Sequence, residues 1–161
     1  MALKLVNIDD RLIHGQVATT WIPDYKIESA IIVNDKVAND PVQKSVAGLA
    51  VPNIKVSIFT VDKFIEVLKK TELKKSTMVL FTNPMDALKL RKNSLEFSYL
   101  NVSGMRFNDQ RTRLHKNMSV TAEEKEAFEE LINMGVDVWM QTTTRDSKEP
   151  VKELLKNFDA Q

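Results

Sequence analysis

Within the stretch LVNIDDRLIHGQVATTW, Leu5 to Trp21, stand two carboxylates (Asp9, Asp10), a guanidinium (Arg11) and an imidazole (His14), followed by Gly15. Among these side chains the imidazole is the nucleophile. An unperturbed imidazole titrates near ~6.5, so at neutral pH most of it carries a free lone pair. Arg11, three residues earlier, can fork onto phosphate oxygens. Gly15 lacks the Cβ that would crowd an incoming group. A helix starting at this point would aim its first N–H groups at an anion held on the ring. Together these residue types suit a phosphohistidine site. Asp9 and Asp10 would orient the arginine, or fix the imidazole tautomer through its other nitrogen, and would repel a bound phosphoryl group so that it stays transferable. Plainer roles are open to the same residues: aspartates serve turns and caps, and Arg11 could be a surface charge paired with either one.

The elements needed to position this loop follow from the pattern on either side. Leu3–Ile8 is a short, apolar strand, and Gln16–Trp21 suits a helix ended near Pro23. Strand, charged turn, helix is the geometry in which α/β proteins place their chemistry. Further apolar runs rich in β-branched residues predict strands at Ser29–Val33, Ile54–Phe59, Thr77–Phe81, Phe97–Val102 and Val136–Gln141, with a partly exposed sixth strand over Thr112–Val120. Helical spacing separates them. One helix runs from about Asp40 to Leu49 with Pro41 in its first turn, and another carries Val61, Phe64, Ile65 and Leu68 on one face. A third starts at the cap Asn83-Pro84. A fourth opens on the capping box Thr121–Glu124 and stops at Gly135, and a last one carries Val151, Leu154, Leu155 and Phe158. Alternating strands and helices, with strands too apolar for a one-sided sheet, predict a single α/β domain with a mainly parallel seven-stranded sheet and helices on both faces. In such a sheet function collects at the carboxyl ends of strands. Those ends carry Asp9 to His14, then Asn34 and Asp35, then Thr82 and Asn83, then Asn101, Ser103 and Gly104.

The totals narrow the function. In 161 residues, 23 basic and 22 acidic side chains leave a net charge of +1, which gives no basic footprint for nucleic acid and no field for an anionic membrane. Cysteine is absent, so disulfides, thiolate metal sites and cysteine nucleophiles are excluded. That usage fits a reducing cytosol. The start MALKLVN lacks the charged and apolar regions of a signal peptide. No uncharged apolar run reaches the ~18 residues of a spanning helix, so work at a membrane would go through a partner. Two histidines far apart in sequence offer little to a metal. His115, among Arg111, Arg113 and Lys116, reads as part of a solvated basic face, with a docking patch as the other option. The methionines at 78, 85, 105, 118, 134 and 140 read as core and loop filling.

NIDDRLIHGQV followed by Trp21 resembles the N-terminal signature of the mannose/fructose/sorbose family of phosphotransferase-system (PTS) enzyme IIB components. IIVNDKVANDPVQK, NPMDALKL, LNVSGM and TAEEKEAFEELINMGVDVWMQ resemble later segments of that family, in the same order. The resemblance implies that His14 is the phosphorylated histidine. It would accept a phosphoryl group from a phosphohistidine of the IIA component and pass it to a sugar delivered by the IIC and IID membrane components. It also implies that Asp10 and Arg11 belong to the active-site loop and that Gly15 and Gln16 continue it as phosphate-binding positions. Asp35 and the turn Asn101–Gly104 would border the loop, and no metal or organic cofactor is implied. Two stretches depart from the family: Ser103-Gly104 stands where two glycines are usual, and MRFNDQRTRLHK matches poorly.

Two rival functions are open to an α/β chain of this kind. A receiver-type signalling module also has an acidic pair after its first strand. It needs a phosphorylatable Asp after the third strand and a Lys after the fifth, where this chain has Phe59-Thr60 and Asn101-Val102. A nucleotide-binding domain needs a glycine-rich phosphate loop, and with 4 glycines this chain has neither G-x-G-x-x-G nor a P-loop.

Overall fold

A computed structural model describes residues 2–15 and 17–160. The chain begins with β1 (Leu3–Asp9), a π-helix (Val17–Trp21), α1 (Ile22–Asp24), β2 (Ser29–Val33), α2 (Asp35–Asn39), α3 (Pro41–Gly48), β3 (Lys55–Phe59) and α4 (Val61–Lys70). It continues through β4 (Thr77–Phe81), α5 (Pro84–Asn93), β5 (Tyr99–Gly104), β6 (Thr112–His115), β7 (Met118–Val120) and α6 (Ala122–Asn133). β8 (Asp137–Met140), β9 (Glu149–Pro150), α7 (Val151–Leu154) and a 3₁₀ turn (Leu155–Ala160) complete it.

Seven strands form one sheet in the order β3-β2-β4-β1-β5-β8-β9. Every neighbouring pair is parallel except β8 with β9. β1 lies between β4 and β5, and the chain changes direction across the sheet around it: first outward to β2 and β3, then back through β4 and over to β5. The carboxyl end of β1 therefore opens at a topological switch point, where open α/β sheets bind ligands.

Side-chain alternation along the strands divides the apolar residues between two faces. Val6, Ile8, Val33, Val79 and Phe81 pack with Phe64, Leu90, Phe128 and Leu131 from α4, α5 and α6. Leu5, Ala30, Ile32, Met78 and Leu80 pack on the other face with Ile13, Val17, Trp21, Val37 and Ala47. Trp21 and Phe128 are almost wholly withdrawn from water, and burial of each is worth about 1.5–3 kcal/mol. The second face is the one onto which the segment after β1 folds back.

The strands at Ser29–Val33 and Thr77–Phe81 lie as the sequence predicts. Other elements differ. The helix expected over Gln16–Trp21 winds as a π-helix, continues through Pro23, which occupies the first turn of α1, and is closed by Lys26 in the left-handed region at φ 52°. Gln16 itself lies outside the described residues. The expected helix near Asp40 begins at Pro41, with Asp40 as its cap, and is preceded by α2, which the sequence reading missed. Thr112–Val120 is a hairpin of two strands apart from the main sheet, not a sixth strand of it, because Lys116-Asn117 turns the chain. The seventh place in the sheet goes to the two-residue β9. The strand expected to end at Val102 runs on to Gly104, so Ser103 and Gly104 are buried in β5 rather than in a turn.

Candidate functional site

Period-two alternation places Asn7 and Asp9 of β1 on one face, and Asn101 and Ser103 of β5 beside them. All four are fully buried. Polar groups survive in that position when each finds a partner. Asn101 Nδ2 donates to Asn7 Oδ1 (2.9 Å) and to the Gln141 carbonyl (3.1 Å). Asn7 Nδ2 donates to Ser103 Oγ (2.9 Å), and the Ser103 hydroxyl donates to Asp9 Oδ2 (2.9 Å). The chain of bonds ends at a carboxylate that faces the loop.

Asp9 organises that loop. Its Oδ1 accepts from the Arg11 amide (2.9 Å) and Arg11 Nε (3.1 Å), and its Oδ2 accepts from Arg11 Nη2 (3.3 Å). The Asp9 carbonyl accepts from Leu12 N. Leu12 sits at φ 64°, a left-handed conformation that costs a residue with a Cβ about 1–2 kcal/mol. It turns its carbonyl to within 3.2 Å of His14 Nδ1. Asp9 Oδ2 stands 3.7 Å from the same nitrogen, beyond hydrogen-bond reach. His14 Nε2 is enclosed and has no partner among the described residues. The side of the imidazole that meets the Asp9–Arg11 pair is therefore Nδ1.

The guanidinium of Arg11 is one-third exposed. With Nε and Nη2 held by Asp9, its Nη1 has no partner among the described residues and can take an anion. Gly104 makes this placement possible: a Cβ there would stand 2.7 Å from Arg11 Nη2. At Gly15 a Cβ would meet no atom within 4 Å, so the space beside His14 is open.

Of the site residues named from sequence, His14, Arg11, Gly15, Ser103 and Gly104 come together, and Asn101 joins through Asn7. Asp10 does not orient His14 or Arg11; that contact falls to Asp9. Asp10 instead accepts from Arg106 N (3.0 Å), Arg106 Nε (3.2 Å) and Arg111 Nη1 (2.8 Å), tying the loop to the 105–111 segment. Asp35 accepts from Val61 N at the start of α4 (2.9 Å), not from a residue of the loop. Ser103 is enclosed by Asp9 and Asn7, which leaves its hydroxyl no part in holding a phosphoryl group directly.

Arg111 is not on a solvated face. Its Nε and Nη2 form a two-pronged pair with Glu124 (2.9 and 2.8 Å), and Nη1 reaches Asp10. Burial works against its charge, but the hydrogen bonds with Glu124 and Asp10 outweigh burial and raise its pKa above the ordinary value. His115 pairs with Glu149 (2.8 Å). Sequence reasoning missed Asn7, Arg111 and the Leu12 carbonyl. Asn7 carried a signal, as an amide within the apolar run that follows Lys4; a left-handed leucine carries none.

Beside the loop, Arg11, Leu12, Ile13, Val42, Val46 and Ala50 line a cleft of about 270 Å³. Val42 and Val46 of α3 are 72% and 67% exposed, an apolar rim next to the site. Around the neighbouring strand ends, Asn34 Nδ2 donates to Thr82 Oγ1 (2.8 Å), and Asn83 caps α5 through Asp86 N (3.0 Å). At the end of β3 the Thr60 hydroxyl caps α4, so the receiver reading finds no carboxylate where it needs one.

The family model for "PTS system sorbose subfamily IIB component" matches residues 3–161. The chain is 34% identical over 159 residues to the "PTS system fructose-specific EIIB component" of Bacillus subtilis, covering 98% of each protein. It is 34% identical to the "PTS system sorbose-specific EIIB component" of Lacticaseibacillus casei, covering 99% of this chain and 96% of that one. It is also 34% identical to the "PTS system mannose-specific EIIAB component" of Escherichia coli, where it spans 50% of the longer protein. The crystal structure of the IIBSor domain of the sorbose permease from Klebsiella pneumoniae superposes with a TM-score of 0.90, at 31% identity and 98% coverage of both chains. With the shared fold and this span of similarity taken together, the chain belongs to the sorbose-subfamily IIB components of the PTS, the family of sugar phosphotransferase subunits.

Proposed function

We propose that His14 is the phosphoryl carrier of this subunit, taking the group from a phosphohistidine of a IIA protein and giving it to a sugar presented by IIC and IID membrane partners. The observation that carries this reading is the position of Nδ1, beside the Asp9–Arg11 pair at the carboxyl end of β1, while Nε2 is enclosed. In the tautomer that carries its proton on Nε2, the lone pair of Nδ1 attacks phosphorus in line. The bond from phosphorus to the donor's nitrogen breaks, and that nitrogen keeps the electron pair. Arg11 Nη1 stabilises the charge on the equatorial oxygens. Removing one such donor lowers a rate by about 10²–10³. In the second step a sugar hydroxyl oxygen attacks phosphorus, its proton passes to water, and the electron pair of the P–N bond returns to the imidazole.

A protein donor suits the apolar rim at Val42 and Val46, which a partner would cover while its own histidine approaches the cleft. The Escherichia coli relative bears the printed name EIIAB, and that pairing of IIA with IIB in one protein supports IIA as the donor. No helix among the described residues is long and apolar enough to cross a membrane. The subunit would work at the cytoplasmic face of the membrane, held there by its partners.

Incubation with a phosphorylated IIA protein tests the reading. An acid-labile, base-stable phosphoryl group on Nδ1 of His14 is expected, lost in His14→Ala with the circular dichroism spectrum unchanged. Retention of the label by His14→Ala overturns it.

A further inference from the structure

We propose that Ser103 is a positioning residue for the transfer step: its hydroxyl holds Asp9 Oδ2 away from His14 and so leaves the Nδ1 proton to the weaker Leu12 carbonyl, from which it can shift to Nε2 and open Nδ1 to a phosphoryl group. The inference rests on the reading of His14 as the carrier, and it assigns a task to a side chain whose hydroxyl bonds to Asn7, Ile8 and Asp9 rather than to His14 or Arg11.

Three observations lead to it. First, Ser103 has no route to solvent and its polar atom is fully committed. Oγ accepts from Asn7 Nδ2 (2.9 Å), and Asn7 is itself fixed by Asn101. An amide already donating into Oγ directs the hydroxyl proton outward, and Asp9 Oδ2 is the acceptor at 2.9 Å, closer than the Ile8 carbonyl at 3.4 Å. Second, the pairing of β1 with β5 is irregular at this point: Ile8 pairs with Val102 and Asp9 with Gly104, passing over Ser103. The passed-over residue is the one whose hydroxyl meets the Asp9 side chain. Third, Asp9 Oδ2 lies 3.7 Å from His14 Nδ1, less than 1 Å outside hydrogen-bond distance.

A carboxylate makes a stronger hydrogen bond to an imidazole N–H than a backbone carbonyl does, because its charge assists the bond. If Asp9 Oδ2 swung free, it would capture the Nδ1 proton that the Leu12 carbonyl now meets at 3.2 Å. The tautomer with its proton on Nδ1 and its lone pair on the enclosed Nε2 would then be locked in by a charged acceptor, and Arg11 would lose the grip of Oδ2 on its Nη2. Ser103 prevents this by occupying Oδ2. It keeps Asp9 a clamp for Arg11 rather than a partner for His14.

Ser103→Ala removes the hydroxyl and adds no bulk. Two measurements separate positioning from a merely structural role. In the unphosphorylated protein, ¹⁵N-labelled histidine NMR reads the tautomer of His14 directly, and the population with the proton on Nδ1 is expected to rise in the variant. In transfer from its cognate phosphorylated IIA protein, the single-turnover rate is expected to fall roughly tenfold to a hundredfold, as a small misplacement of reacting groups does, with the IIA concentration for half-maximal rate unchanged within about twofold. Ile32→Val, a buried change on the same face and far from the loop in its chemistry, loses stability without slowing transfer. An unchanged His14 tautomer together with an unchanged rate overturns the proposal, and so does an equal slowing in Ile32→Val. The NMR arm stands whether or not His14 is the carrier, so failure of the carrier reading is told apart from failure of this one.

Discussion

Gly104 and Arg11 are in direct contact across the β1–β5 pair, with room between them for no more than a hydrogen: a Cβ on Gly104 would lie 2.7 Å from Arg11 Nη2 and 3.3 Å from its Cζ. Because the atom displaced would be the far end of a flexible side chain, the fold can absorb a methyl group there, but the guanidinium cannot stay. Gly104→Ala is expected to shift the unfolding midpoint little while lowering transfer to His14 by about 10²-fold, close to the loss of one charge-stabilising donor. Parallel thermal melts and single-turnover transfer check this. A large loss of stability with normal transfer per folded molecule is the contrary result.

Leu12 predicts a similar split. Its left-handed backbone holds the carbonyl that faces His14 Nδ1. Leu12→Gly relieves about 1–2 kcal/mol of local strain, and the greater freedom of glycine in the unfolded chain offsets roughly 0.4–1 kcal/mol of that gain. Losing the half-buried Leu12 side chain, which packs against the core, offsets the rest by about 1 kcal/mol, so stability should change by less than about 1.5 kcal/mol in urea titration. Transfer should slow nonetheless, because the loop no longer fixes the His14 ring, and single-turnover kinetics read that change.

Arg111 serves the fold. Its side chain is 10% exposed and bridges Glu124 of α6 and Asp10 of the loop. Arg111→Met leaves the buried Glu124 carboxylate without its cation, while Asp10 keeps Arg106, and removing one partner of a buried pair costs about 3–5 kcal/mol. Equilibrium denaturation should show a loss of that size. Adding Glu124→Gln to Arg111→Met should return part of it, since the stranded charge is then gone.

Asp86 gives a pH signature. Burial pushes its carboxyl pKa above the ordinary value; a hydrogen bond from Asn83 opposes the shift and the charge of Asp35 adds to it. The folded chain thus holds this proton more tightly than the unfolded chain. The group's contribution to stability is most favourable below the ordinary carboxylate pKa of about 3.9, and it declines as pH rises through the raised folded value. Asp86→Asn keeps an oxygen for Asn83 and removes the dependence. The melting temperature of the variant, relative to the parent, should climb from acid pH upward and level off once the raised value is passed. A difference that is flat across pH would contradict this.

Apolar runs were legible wherever alternation and burial agree, as at Ser29–Val33 and Thr77–Phe81. They misled where polar residues are buried by bonding to one another. Ser103 was placed beyond the end of its strand because hydropathy weighs each side chain alone, whereas in the fold Ser103 and Asn101 are both bonded to Asn7 across β1 and β5. The same blindness put Arg111 on the surface: its burial depends on Glu124 and Asp10, and the pairing with Asp10 joins residues about a hundred positions apart. The loop itself was legible in composition, and the choice between its two aspartates was not. Adjacent residues of a strand end point to opposite sides, so Asp9 faces the site while Asp10 faces the 105–111 segment.

The short antiparallel strand β9 bears on colloidal behaviour. It is two residues long, and one of them is Pro150, which has no N–H to offer a further strand. A sheet margin finished in this way is a poor template for edge-to-edge aggregation. Copies of the chain are thereby discouraged from joining along that margin.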